Sequence, residues 1–207
     1  MTMKHFLFFL VLLLFLKTPH AFALGRFAVG PELGFVYQTH RDPTGGKLQG
    51  APGVEFGIGG VYQFDRLLSH LAIDYAVGLV QTSPFTYRDI QIEGANGTFR
   101  ENVFALHWLL GGRYYFGKRK WQPYGGVAVG FQYFRRQNIS YRDRFNGALP
   151  IPPVSSSFNL ALVPSIGLEY RPTFRWAIGL ALKPFFSFRR TGVVPAIQVP
   201  LSIQITF

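Results

Sequence analysis

From Ile197 to Phe207 the chain reads I-Q-V-P-L-S-I-Q-I-T-F. Ile197, Val199, Leu201, Ile203, Ile205 and Phe207 form one row. Gln198, Pro200, Ser202, Gln204 and Thr206 form the other. A period of two is that of a β-strand with one apolar and one polar face. The apolar row ends on a bare aromatic. That suits a strand whose row meets lipid and whose edges are both paired.

The same alternation occurs seven times earlier. It predicts strands at 26–38, 53–64, 70–82, 102–116, 122–135, 157–171 and 175–188. Each is longer than the roughly 5–6 residues usual in soluble sheets. Gly, Pro and polar residues between them predict long loops over His40–Gln49, 84–101 and 136–156. Short turns are expected at Asp65-Arg66, at 117–120 and at 172–174. Long and short connections thus alternate, as in barrels with short turns at one end and longer loops at the other.

The two faces differ in a way that separates two kinds of barrel. Phe35, Phe56, Ile73, Leu110, Phe131, Leu168 and Ile178 lie in the apolar rows. Glu32, Glu55, Asp74, His107, Arg113, Glu169 and Lys183 all lie in the rows of small and polar residues. Charged groups cannot line the dry core of a soluble barrel at low cost. They can line the lumen of a membrane barrel while the apolar rows face lipid. Tyr114, Tyr170 and Trp176 gather near one predicted rim, and Tyr37 and Tyr133 near the other, as interfacial aromatics do. The expected fold is all-β: an eight-stranded antiparallel up-and-down transmembrane β-barrel.

Residues 1–23 carry the marks of a secretory signal peptide. Lys4 and His5 begin it, Phe6–Leu16 is an unbroken apolar run, and Ala21-Phe22-Ala23 is a small-x-small cleavage pattern. The run is shorter than the roughly 20 residues a spanning helix needs. Cleavage after Ala23 leaves the barrel domain over 24–207. The formal charge of +11 then falls by the two charges of Lys4 and Lys17. With 17% aromatic and 15% charged residues, the basic excess suits a membrane surface rather than nucleic acid. The chain has no cysteine, which excludes disulfides and a lipidated N-terminal cysteine.

Pro31, Pro164, Pro184 and Pro200 fall inside predicted strands. Each removes a ladder donor, and a closed barrel has no free edge for it. Bulges or local bends are the expected remedy.

Three stretches carry a resemblance. They are G-G-R-Y-Y-F-G-K-R-K-W-Q-P-Y-G-G-V-A-V-G (111–130), S-I-G-L-E-Y-R-P-T-F-R-W-A-I (165–178) and the terminal alternation. Together they resemble the small outer-membrane β-barrel proteins of the OmpA/OmpX type. The resemblance implies an outer-membrane location with both termini periplasmic. It implies that Leu201, Ile203, Ile205 and Phe207 form the signal read by the outer-membrane assembly machinery. It implies no single activity, since such barrels include adhesins, anchors and a few lipid-modifying enzymes.

Candidate functional residues fall into two groups. Glu32, Glu55, Asp74, His107, Arg113, Glu169 and Lys183 are expected to form a structural network filling the lumen. A narrow proton or ion path is the alternative. Arg135, Arg136, Arg142, Arg144, Arg189 and Arg190 lie in the outer loops and suit phosphate or carboxylate ligands. Their expected partners are outer-membrane lipid and lipopolysaccharide, or an extracellular ligand. Among the barrels it resembles, the lipid A deacylase type carries a His-x-Ser pair and a Glu, and the palmitoyl-transferring type a His and an Asp-Ser pair in the outer loops; His40 and Asp42 lie in the first loop here. The chain has no His-x-Ser, and Ser83 at the second loop is followed by Pro84. No phosphate-binding glycine loop or metal-ligand spacing is present, so no cofactor is expected. The expected function is a structural or surface-interaction role through the extracellular loops.

Overall fold

The structure is a computed structural model. It describes residues 25–41, 48–64, 69–92, 95–117, 119–143, 147–148, 156–189 and 192–207. The predicted signal peptide, the Asp65-Arg66 turn, Arg144 and Arg190 lie outside the described residues.

The elements are all strands: β1 (Gly25–Arg41), β2 (Leu48–Phe64), β3 (Leu71–Thr82), β4 (Phe85–Ile92), β5 (Ala95–Tyr115), β6 (Trp121–Asp143), β7 (Gly147–Ala148), β8 (Ser156–Tyr170), β9 (Trp176–Arg189) and β10 (Gly192–Thr206). Eight of them, β1, β2, β3, β5, β6, β8, β9 and β10, pair antiparallel around a closed circuit. The circuit closes where β1 meets β10, with Leu33 opposite Leu201 and Val29 opposite Ile205. Phe207 adds a last bond, its amide donating to the Phe27 carbonyl at 2.8 Å.

The predicted facing holds around the barrel. Phe35 is 76% exposed, Leu110 60% and Ile166 63%. They belong to a continuous apolar band far larger than a water-facing surface carries. Leu201, Ile203, Ile205 and Phe207 lie in that band. Glu32, Glu55, His107, Arg113, Glu169 and Lys183 are buried inside.

The strands beyond the band differ from expectation. The stretch 84–101, expected as a polar loop, is β4 and the start of β5, paired as a hairpin. β6 runs on to Asp143 instead of ending near 135, and pairs with β5 up to Gly97. Together β4, β5 and β6 form a sheet that projects past the last outward apolar residues of the barrel wall, Phe104 and Tyr133. The projection stands at the end opposite Gly25 and Phe207. In this architecture that end is extracellular.

Two bulges explain why alternation failed to show these strands. The β4–β5 register shifts by one between Tyr87 and Ile90, where Asp89 has φ 56°. The β5–β6 register shifts between Arg100 and Asn102, where Asn138 on β6 has φ 50°. Asp and Asn tolerate this left-handed conformation better than most residues. Each extra residue reverses the facing of everything beyond it. Phe85, Tyr87 and Ile90 therefore all point inward, as do Phe134 and Tyr141.

The in-strand prolines are accommodated by one-sided gaps rather than bulges. Pro31 pairs with Ile58 on β2, but the β1–β10 ladder skips from Val29 to Glu32. Pro200 pairs with Gly34, but the β9–β10 ladder skips from Gln198 to Leu201. Pro164 keeps its partner Val127 on β6, and Pro184 keeps Ile197 on β10. Between β8 and β9 the flanking pairs are Leu162 with Phe186 and Ile166 with Leu182. That register sets Pro164 directly opposite Pro184, so both missing donors fall in one gap.

Candidate functional site

The lumen is organised by charge pairs between distant strands. In its periplasmic half Arg113 (β5) meets Asp74 (β3) at 2.9 Å and Glu169 (β8) at 3.5 Å. Tyr115 donates to the same Glu169 at 3.0 Å, Arg171 pairs with its other oxygen, and the Arg113 guanidinium lies 4.1 Å from the centre of the Tyr124 ring. At mid-height Lys183 (β9) reaches Glu32 (β1) at 3.2 Å. His107 (β5) meets Glu55 (β2) at 3.1 Å.

Small residues on the lumenal rows make room for these pairs. A Cβ at Gly59 would collide with the Glu32 carboxylate, and one at Gly78 with the His107 imidazole. The seven lumenal residues selected from sequence are thus brought into three connected groups. Beside Lys183 and Asp74 the remaining cavity is about 10 Å³, no more than a single water needs. At this height side chains fill the lumen, as eight strands dictate.

The extracellular projection has its own core. Tyr87, Phe99 and Tyr141 stand in one inward row across β4, β5 and β6. Phe85, Ile90, Val103 and Phe134 complete the cluster, which also packs on Val36 and Val80 of the barrel wall. The Tyr141 hydroxyl donates to the Ile90 carbonyl at 3.1 Å, and the Tyr87 hydroxyl to the His40 carbonyl at 3.2 Å.

The outward face of the same sheet is basic. Arg135 stands opposite Phe104, at the upper edge of the apolar band. Higher up, Arg100 lies between Thr86 and Ser140, and Arg142 lies opposite Thr98. Arg88 is also exposed on β4, so four arginines face outward at rising heights. Arg88 and Arg100 fall in the stretch expected as a loop, and they were missed for that reason.

The arginines selected from sequence do not act as one surface. Arg135 and Arg142 face outward. Arg136 turns inward and reaches Glu101 at 3.4 Å. Arg189, at the tip of the β9–β10 hairpin, also turns inward. It donates to His40 Nδ1 at 3.2 Å and stacks 3.7 Å from the centre of the Phe134 ring. His40 Nε2 in turn meets Glu101 at 3.2 Å. His40 lies three residues past Tyr37, the last outward aromatic of β1, and so above the membrane. Burial pushes its pKa below the usual histidine value, Glu101 opposes that shift, and Arg189 and Arg136 add to it. Burial also brings the Arg189 guanidinium down to about 10. His40, Glu101 and Phe134 carried no sequence signal of this grouping, because strand register brings them together.

The sequence matches the family model of the outer membrane protein beta-barrel domain over residues 7–183. The chain belongs to this family. It is an outer-membrane protein that crosses by strands. No curated protein sequence matches it. Among solved structures, Neisserial surface protein A superposes with a TM-score of 0.51 at 12% identity, covering 87% of this chain and 97% of that one. Ail, the attachment invasion locus protein of Yersinia pestis, gives 0.49 at 13%, covering 89% and 99%. The N-terminal β-barrel domain of Pseudomonas aeruginosa OprF gives 0.44 at 14%, covering 88% and 99%. At these identities the likeness concerns the fold alone. Within the family, the charged filling of the lumen and the projecting sheet are the features of this chain on which a functional reading must rest.

Proposed function

We propose that this outer-membrane barrel is a surface-interaction protein whose working part is the outward face of the β4–β5–β6 projection. The observation that carries this is the row of exposed arginines on a sheet braced from behind by its own aromatic core. Arg135, level with Phe104, is placed to meet lipid phosphates. Arg100 and Arg142 stand higher, where extracellular polyanions reach them. Guanidinium groups pair bidentately with phosphate, sulfate and carboxylate. A rigid sheet presents them with little ordering cost on binding. The filled lumen favours an anchor over a conduit, and the reading is non-enzymatic.

The test is binding to lipopolysaccharide and to a sulfated polysaccharide, with the protein in nanodiscs. Arg100→Gln/Arg142→Gln should lose most of the salt-sensitive affinity for the polysaccharide while the barrel keeps its heat-modifiable mobility. Unchanged affinity in the double variant would refute the reading.

Two further parts of the proposal concern biogenesis. Residues 1–23 are removed on export, so the mature protein begins at Leu24, which N-terminal mass analysis reads directly. The outward row Leu201, Ile203, Ile205 and Phe207 is recognised by the assembly machinery. Phe207→Ser should then lower the amount of protein inserted in vivo without altering refolding in micelles.

A further inference from the structure

The mouth of the barrel holds a partly buried cation, two of whose donor nitrogens are enclosed and not used. The Arg189 guanidinium spends Nη1 on His40 Nδ1. Its Nε and Nη2 are enclosed, and neither has a hydrogen-bond partner among the described residues. Those two N–H groups form the side-on fork of a guanidinium, the geometry that fits two oxygens of one anion. The Phe134 ring fixes the plane of the fork from one side.

The local charge points the same way. Arg189 and Arg136 supply two positive charges. Glu101 is the carboxylate among them, and His40 and Arg136 both hold it at ion-pair distance. With His40 neutral, one positive charge is left over among the described residues. An unpaired buried charge is costly, and buried charges are found paired. An enclosed polar group without a partner calls for a bound ion or water to complete it.

We propose that the extracellular mouth is an oxyanion site. The Arg189 Nε–Nη2 fork is its principal ligand, and its ligand class is a single carboxylate, sulfate or phosphate monoester group. The site faces the inside of the mouth, behind the β4–β5–β6 aromatic core. It is therefore separate from the outward arginines and does not depend on them.

The test uses the full barrel refolded in octyl glucoside, a phosphate-free detergent, with ¹⁵N-labelled arginine side chains. The Arg189 Nε–H resonance should be displaced by the Phe134 ring current, which identifies it. Titration with sodium sulfate, against sodium chloride at equal ionic strength, should move it saturably. Acetate and inorganic phosphate should do the same. Arg189→Lys keeps the charge but loses the fork, and should weaken sulfate binding about tenfold or more, followed by titration calorimetry because the reporting resonance is gone. Arg100→Gln/Arg142→Gln should leave the titration unchanged, which separates this site from the outer face. A second sample, in nanodiscs containing phosphatidylglycerol, distinguishes the source. A resonance already in its bound position there assigns the site to a lipid headgroup. One that still responds to sulfate assigns it to a free or pendant oxyanion. An Arg189 resonance that none of the anions moves, in the folded wild-type barrel, would overturn the proposal.

Discussion

Pro164 and Pro184 stand opposite each other across the β8–β9 seam, so that two prolines cost the barrel one gap. Neither can donate, and with one donor restored the ring of the facing proline still stands where a ladder N–H would be and holds the two strands apart. Pro164→Val and Pro184→Val should each change stability little. The double variant should gain more than the sum of the two, by about 1 kcal/mol for a restored hydrogen bond. Urea unfolding of the four proteins in lipid vesicles measures the coupling, and strictly additive effects would contradict it.

Lys183 and Glu32 form a buried pair, and removing one partner strands the other. Lys183→Met should destabilise the barrel by about 3–5 kcal/mol. Adding Glu32→Gln should recover much of that loss. If Lys183→Met alone unfolds no more easily than the double variant, the pair is not acting as a unit.

Gly78 leaves the space that the His107 side chain occupies. Gly78→Val should push His107 off Glu55 and cost stability by overpacking, on the order of 1–3 kcal/mol. Adding His107→Ala should relieve part of the cost. A shift in the urea midpoint that the second substitution does not reduce would show that the strain lies elsewhere.

The lowered pKa of His40 makes stability depend on pH. The unfolded chain binds a proton near the ordinary histidine value of 6.5. The folded chain resists it until lower pH, so the unfolded state carries more protons in between. Stability should therefore be fully present above 6.5 and decline as pH falls towards the folded value. Comparing urea midpoints at about pH 8 and about pH 5 for wild type and His40→Gln tests this. The substitution should flatten the decline, and equal slopes would exclude His40 as its source.

Within the membrane the sequence was almost sufficient. The eight alternating segments, their facing and the lumenal position of Glu32, Glu55, Asp74, His107, Arg113, Glu169 and Lys183 were all legible. Lipid on one side and a filled lumen on the other impose one rule on every residue there. The pairing of those charges was not legible. Glu32 and Lys183 are 151 residues apart, and only barrel closure joins them. Outside the membrane the rule changes at Asp89 and Asn138. Beyond these bulges a continued alternation assigns Tyr141 to the wrong face and hides β4 altogether. Arg136 and Arg189 were grouped with the outward arginines because both were assigned to loops; they lie on continuing strands and turn inward.

The bulge at Asn138 separates two reading frames of one strand. Below it, facing is dictated by lipid; above it, by a water-exposed sheet with its own core. Straightening that bulge with Asn138 kept in the alternation would leave the spanning half of β6 in place while turning Tyr141 into water and Arg142 into the aromatic core. The outer half of the strand can thus diverge in sequence under its own constraints, coupled to the membrane half by one left-handed residue.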